Sequence, residues 1–356
     1  MNTFGNRLRL TTFGESHGVA VGGVVDGYPS GVELDRDEIA RQLRRRMPRE
    51  AYSTERRETD EISFLSGVKG GVTTGTPIAF LVKNRDQRSQ DYDPLEDLYR
   101  PSHADYVYEQ KYGLRDPRGG GRASARETVA RVVAGAMAQQ LLSTHGVEVC
   151  SYTDAVAGSD SAGYLDEVTP ADIELSRAGC PIPELDRQMY ELLASTEGNT
   201  LGATVATVVR GVSVGWGEPL YDKLSARLTY ALMSINAAKG VEIGDGFALA
   251  RMRGSEANDP YVSDNGQIRM LTNHSGGILA GISTGEVLRM RTAFKPISSI
   301  SLPQKTVARD GRPTVLRING RHDTSVVPRV LPVVDAMVAL VLADFMLQEL
   351  IPHQAM

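Results

Sequence analysis

One pattern occurs twice in this chain and narrows its possible folds more than any other feature. GVAVGGVVDGYPSG at 18–31 runs into a helical segment, and GATVATVVRGVSVGWGEP at 202–219 does the same. In each copy a Val-rich, strand-like run meets a Gly/Pro turn and then an amphipathic helix. A strand, a turn and a helix repeated at a distance point to two related halves. No Pro/Ser linker or low-complexity stretch separates them, so residues 1–356 read as a single domain with a pseudo-symmetric interior.

Local signals fill in the elements. Asp35 precedes a helix with Glu38 at its third position, and Ile39, Leu43 and Met47 share one face. Ser124 with Glu127 reads as a capping box opening a helix through Val129, Val132, Val133, Met137 and Leu141, which stops near His145 and Gly146. Leu224, Leu228, Leu232 and Ile235 mark a third helix. A fourth starts around Pro332 and carries Met337, Val338, Val341, Leu342 and Phe345. Strands are expected at 19–25, 78–82, 203–209, 277–282 and 315–318.

A net charge of −5 over 356 residues, with a pI near 5.8, argues against wholesale binding to nucleic acid or anionic membrane. Any basic patch is therefore local. The two cysteines, Cys150 and Cys180, form no C-x-x-C and fit a reduced compartment. MNTFGNRLRLTTFG lacks the apolar core of a signal peptide. The longest apolar run, VVDAMVALVLADFM, is interrupted by Asp335 and Asp344. The expectation is a cytoplasmic protein without a membrane span.

Gly14-Glu15-Ser16-His17-Gly18 fits G-x-S-x-G, the nucleophile-elbow pattern of serine hydrolases. Its flanks do not fit: too few residues precede it for the usual strands, and a Val-rich strand follows where a helix is needed. Ser16 is better read as a hydrogen-bonding group in a tight loop. His17 and His103 lie in polar, turn-rich settings and are the acid/base candidates among six histidines. His145 sits at a helix end, His353 in the tail, and His274 and His322 cannot be judged by spacing. No pair has metal-ligand spacing, so no metal site is expected.

Arginines are the clearer signal. Arg41, Arg44, Arg45 and Arg46 fall in one helix with no lysine among them, Arg49 follows, and Arg100, Arg118, Arg122, Arg126 and Arg131 come later. Such residues suit bidentate capture of phosphate or carboxylate. Pro117 to Ser124 combines glycines, two arginines and a helix start, which makes an anion site. Lys295-Pro296-Ile297-Ser298-Ser299 adds a cation and hydroxyls, and Arg321-His322-Asp323 a carboxylate beside two potential cations. The residues alone point to an enzyme for a small phosphorylated or carboxylated metabolite, without specifying its reaction.

Taken together, TTFGESHG, VVDGYPSG, QRSQDY, RPSHADYVYEQKYGLRDPRGGGRASARET, LMSINAAKGVEIGDGF, NHSGGILAGISTG, KPISSI and GRHDTSV closely resemble the chorismate synthase family, over nearly the whole chain. The resemblance implies an α+β fold, a β-α-β sandwich with a helical layer between antiparallel sheets, in a homotetramer. It implies 1,4-anti elimination of phosphate from 5-enolpyruvylshikimate 3-phosphate to give chorismate, the last step of the shikimate pathway. Reduced FMN is required without net redox change, with NADPH as the indirect source of electrons. By the same resemblance His17 protonates or hydrogen-bonds the reduced flavin, His103 protonates the departing phosphate, and Asp323 takes part in removing the C6 proton. Ser16, Arg45, Arg100 and Arg126 contact substrate. Arg122, Ala123, Ser124, Asn236, Ala237, Ala280, Lys295, Pro296, Ile297, Ser298, Ser299 and Arg321 fall where the family binds FMN. Ala51 stands where many members carry a further substrate arginine, a task Arg49 is placed to take. Ser102 and Ala280 replace common glycines, and Ile297 a common Thr. The competing readings are a serine hydrolase using Ser16 and a non-catalytic protein that binds a small anion or nucleic acid.

Overall fold

The computed structural model describes residues 1–48, 50, 52, 53, 60–85, 96–116, 120–318 and 323–349. The first half opens with β1 (Thr3–Phe4), β2 (Arg9–Gly14), β3 (Ala20–Asp26) and α1 (Arg36–Arg45). β4 (Ile62–Phe64), the small hairpin β5 (Val68–Lys69) and β6 (Val72–Thr73), and β7 (Ile78–Lys83) follow. α2 (Asp105–Tyr112) and α3 (Thr128–Ser143) complete it. The second half begins with β8 (Glu148–Val156), passes through α4 (Pro170–Glu174) and α5 (Pro183–Ser195), and continues with β9 (Ala203–Arg210), α6 (Leu224–Met233) and β10 (Ala238–Ile243). Next come α7 (Gly254–Ala257), β11 (Tyr261–Asp264), β12 (Gln267–Met270), and the hairpin β13 (Ile278–Leu279) with β14 (Ile282–Ser283). β15 (Leu288–Phe294), β16 (Gln304–Val307), β17 (Pro313–Leu316) and α8 (Leu331–Glu349) end the chain's regular structure.

The strands of the first half order as β1-β2-β3-β7-β4 and those of the second as β8-β9-β15-β10, antiparallel throughout. Apart from β1, the two orders correspond strand for strand. A two-residue-strand hairpin precedes the third strand of each half. The repeat read from the sequence is therefore a duplicated layout.

α3 packs on β2, β3 and β7, α8 on β8 and β9, and the two helices pack on each other. This is the expected sheet–helix–sheet sandwich. Its cause is visible in the helices themselves. α3 buries 12 of its 16 residues and α8 17 of its 19, so neither has a face for water and both take the middle layer. By length and composition α8 would pass as a membrane span, yet 94% of its apolar window is buried inside the protein, as in a central core helix. The helices cross where Gly135 meets Ala336. A Cβ on Gly135 would stand 2.2 Å from that of Ala336, so only glycine permits the approach.

The two acids that interrupt α8 are both bound. Asp344 accepts the backbone N–H groups of Asn6, Arg7 and Leu8 at 2.8, 2.6 and 2.8 Å, tying the N-terminus to the last helix. Asp335 receives the Arg45 guanidinium at 2.9 Å. Two local expectations fail. Residues 277–282 form not one strand but the hairpin β13–β14, turning at Ala280 and Gly281 with φ of 50° and 89°. Ser124 and Glu127 make no capping box: Glu127 pairs with Arg131 one turn ahead at 2.8 Å, and Ser124 Oγ accepts the Arg126 N–H at 3.3 Å, capping a 3-10 turn over Ala125–Glu127.

Candidate active site

The GESHG loop is the turn between β2 and β3, so a strand follows it and no elbow is formed. Ser16 and His17 are buried there, with Ser16 Oγ and His17 Nδ1 hydrogen-bonded at 3.0 Å. Asn84, just past β7, clasps the loop by donating Nδ2 to the carbonyls of Glu15 and Gly18 at 3.0 and 2.7 Å. Its Oδ1 accepts from Arg126 Nε at 2.9 Å, which links the loop to a cluster of arginines.

That cluster forms where two helices begin. Arg126 lies two residues ahead of α3 and Arg329 two ahead of α8, and the positive ends of both helix dipoles add to their charge. Arg46 caps the C-terminal end of α1. Asp60 accepts Arg126 Nη1 at 2.5 Å and Arg46 Nη2 at 3.3 Å; Arg329 donates Nε to the Arg46 carbonyl at 2.9 Å and pairs with Asp323. Burial pushes the Arg46 guanidinium down to about 10; Asp60 opposes this, and the charges of Arg329 and Arg126 reinforce it. Arg46 Nε is buried with no acceptor among the described residues. Three guanidiniums thus stand together at Asp60 and Asp323, a concentration of arginine that suits an incoming anion.

His103 shares a cleft with Gly14, Glu15 and Gly18 of that loop. Asp105 Oδ1 lies 2.8 Å from its Nδ1, and the same carboxylate takes Arg100 Nε and Nη2 at 2.7 and 2.6 Å. Burial alone would raise the Asp105 carboxyl, but hydrogen bonds and charge from Arg100 and His103 hold it well below the usual carboxylate range. His103, Phe13, Glu15, Tyr108, Arg115 and Arg122 line an open cleft of about 660 Å³. Arg122 anchors the cleft wall, donating Nη2 to Thr12 Oγ1 at 2.8 Å and Nη1 to the Gly14 carbonyl at 3.3 Å.

A family-wide sequence model described as chorismate synthase matches residues 8–347. The chain belongs to the chorismate synthase family. It is 49% identical over 350 residues to a chorismate synthase of Parabacteroides distasonis, covering 98% of each chain. It is 52% identical over 349 residues to one of Porphyromonas gingivalis, covering 97% of this chain and 95% of that one. A crystal structure of chorismate synthase superposes with a TM-score of 0.76 at 30% identity, covering 97% of this chain and 93% of the other. Chorismate synthases are carbon–oxygen lyases of amino-acid biosynthesis that act on a small molecule, and the family works with a flavin.

The side chains present suit such a group. Asn236 Nδ2 donates to the Ala123 carbonyl at 2.7 Å, while its Oδ1 is buried with no donor among the described residues. A ring N–H would satisfy that oxygen. Ala237 beside it holds φ at 68°, and its carbonyl accepts the Lys295 N–H at 2.9 Å. Lys295 Nζ and Ser298 Oγ both reach the Ser102 carbonyl, at 3.1 and 2.9 Å, joining this segment to the His103 loop. Burial, then the charge of Lys239, lowers the Lys295 ammonium. Pro296, Ile297 and Ser299 belong to the same loop, with the Ile297 carbonyl accepting Thr200 Oγ1 at 2.7 Å. Arg122, Ala123, Ser124, Asn236, Ala237 and this loop are thus brought together beside the His103 loop, with Arg122 alone of them lining the cleft.

Other expected residues do not line this cleft. Arg45 points into the helical layer, its Nη1 bound to Asp335 and Gln42 at 2.9 and 2.7 Å; Arg46 is the one beside Arg126. Arg100 is turned onto Asp105 rather than lining the cleft. Ala280 sits beside Gly281, which abuts Lys223 at the start of α6, whereas Asn236 follows that helix's far end. The ten residues of α6 span about 15 Å. Arg49, Arg118, Arg321 and His322 lie outside the described residues. Sequence reasoning named Arg46 only as one of the arginine run, and missed Asp60, Asn84, Asp105 and Arg329. One signal was present: Arg46 falls seven after Ile39 and three after Leu43, on the buried face of α1.

Proposed function

We propose that this chorismate synthase homologue eliminates phosphate and the C6 proton from 5-enolpyruvylshikimate 3-phosphate in the 1,4-anti sense, forming chorismate with reduced FMN and no net oxidation. The observation that carries this reading is the arginine cluster joined through Asn84 to the loop of Ser16 and His17, whose Gly14, Glu15 and Gly18 share a cleft with His103. Arg46, Arg126 and Arg329 hold the substrate's anionic groups, taking the task first assigned to Arg45. Arg122, Ser124, Asn236, Lys295 and Ser298 would hold FMN. Bound there, reduced FMN would supply transient electron density to the substrate with no net oxidation. His103 gives its proton to the phosphate oxygen as the C–O bond breaks. Asp323 takes part in removing the C6 proton, and the electron pair of that C–H bond becomes the new ring double bond. His17, next to Ser16, donates a hydrogen bond to the cofactor's polar edge, and Ser16 contacts substrate. The working form is a cytoplasmic homotetramer whose flavin is reduced indirectly from NADPH.

The test is an anaerobic incubation of the protein with chemically reduced FMN and the enolpyruvyl phosphate substrate. Equal amounts of phosphate and chorismate are expected, and oxidised FMN alone should support neither. Phosphate without chorismate, or release independent of reduced flavin, would overturn the reading.

A further inference from the structure

The cluster under His103 has a role that the reaction above leaves unassigned. We propose that Asp105 is the positioning residue for His103: it holds the imidazole by Nδ1 and so leaves Nε2 as the atom that hands the proton on. The proposal rests on His103 acting as the acid.

Asp105 is 5% exposed and accepts from three sides. Arg100 brings its backbone N–H at 3.0 Å and guanidinium nitrogens at 2.7 and 2.6 Å, and Arg115 Nη1 lies at 3.2 Å. His103 Nδ1 completes the set at 2.8 Å. An ionised carboxylate can only accept, so the shared hydrogen stays on Nδ1 whether His103 is neutral or charged. The two arginines fix that carboxylate and keep it ionised. The opposite edge of the ring is kept clear by Gly120, whose φ is 138°: a Cβ there would come within 3.2 Å of His103 Cε1 and 3.4 Å of Nε2. His103 thus gives the Nε2 proton to the leaving phosphate, remains neutral with Nδ1–H on Asp105, and regains its proton through the cleft. Other charged groups around the pair are Glu109 on α2, Lys295 holding the Ser102 carbonyl, and Glu15 and Arg122 lining the same cleft.

The test uses the full-length protein labelled with ¹⁵N-histidine, with the His103 signals identified by their loss in His103→Gln. Neutral His103 should carry its proton on Nδ1, and in Asp105→Asn the population should move toward Nε2–H. The same variant should lose kcat by roughly 10²-fold, as expected when a general acid is misdirected. KM should stay within about twofold, since the holding arginines are elsewhere. Asp105→Glu, which keeps the charge, should recover part of the rate. An Nε2–H tautomer in the native protein, or a full-rate Asp105→Asn beside a slowed His103→Ala, overturns the proposal. The native tautomer decides alone if Asp105→Asn does not fold. A full-rate His103→Ala would instead sink the acid assignment and leave the measured orientation standing.

Discussion

In the first half the connection between the first two core strands is the short turn at 15–19, and it carries Ser16 and His17. In the second half the corresponding connection runs from 157 to 202 and holds α4 and α5. That longer segment is folded around its own carboxylate, Asp186, which accepts the N–H groups of Arg177, Ala178 and Cys180 at 2.9, 2.9 and 3.1 Å. Each half also contains a His–Asp pair, His103 with Asp105 at 2.8 Å and His274 with Asp245 at 2.6 Å. His103 opens on the cleft. His274 lies in a turn stitched down by Asp259, which accepts from Thr272 Oγ1 and from the His274 and Ser275 N–H groups. The two pairs occupy different places in the duplicated frame: His103 follows β7, whereas His274 precedes the β13–β14 hairpin and β15, the counterpart of β7.

The widest contrast should appear in turnover. His17→Ala and His103→Ala should each lower kcat by roughly 10²–10⁴-fold, the contribution of a positioned acid or base. His274→Ala should stay within about twofold, the range of substitutions away from critical contacts. A loss at His274 as deep as at His103 would place chemistry in both halves and break the comparison.

Next is the contrast between neighbours on α1. Arg45→Ala takes from Asp335 its cation in the helical layer, and should cost about 3–5 kcal/mol in urea unfolding, with KM unchanged for the folded fraction. Arg46→Ala and Arg329→Ala should raise KM for the substrate by roughly 10–100-fold, the worth of a hydrogen bond to a charged group. Interchanged results would restore Arg45 to the site.

Acid should act on both halves with one sign. Although burial opposes it, hydrogen bonds from Thr272, Ser275 and His274 lower the Asp259 carboxyl from 3.8 to about 2. A carboxyl lowered on folding contributes stability that is complete above its unfolded value and is lost as pH falls through the folded one. Unfolding free energy should therefore decline between about pH 4 and pH 2, and Asp259→Asn should flatten that part of the curve. Asp105 acts in the same sense in the first half. Smallest is the effect of Ala280→Gly, which should raise stability by about 1 kcal/mol by relieving a left-handed alanine. No change in Tm would mean that the turn is unstrained.

Much of this architecture was legible because its signals are local. Asp35 does accept the Glu38 N–H at 2.9 Å, and α1 begins where that pair said it would. The β13–β14 hairpin was hidden because Ile278, Leu279 and Ile282 read as one apolar run when the turn residue is Ala280. Ser102, the other residue standing for a common glycine, also has positive φ, 57°, and its carbonyl is gripped by Lys295 and Ser298. The histidine loops stood out by their polar setting. Asp60 and Arg329 did not, because what brings them to the cluster is a distant partner, Arg126 for one and the Arg46 carbonyl for the other, and long-range pairing leaves no local trace. Arg45 and Arg46 differ by one step of helical phase, which a run of arginines blurs.

The crossing of Gly135 with Ala336 reaches further than packing. Nine residues separate Gly135 from Arg126 and seven separate Ala336 from Arg329, so the contact lies about 10–14 Å along each helix from the arginines. It works like the rivet of a pair of tongs, and the guanidiniums are the tips. A methyl group on Gly135 would force the arms apart and move the arginines away from one another, weakening the anion capture proposed for them without touching an anion. The caliper of the site is set by a hydrogen atom in the core.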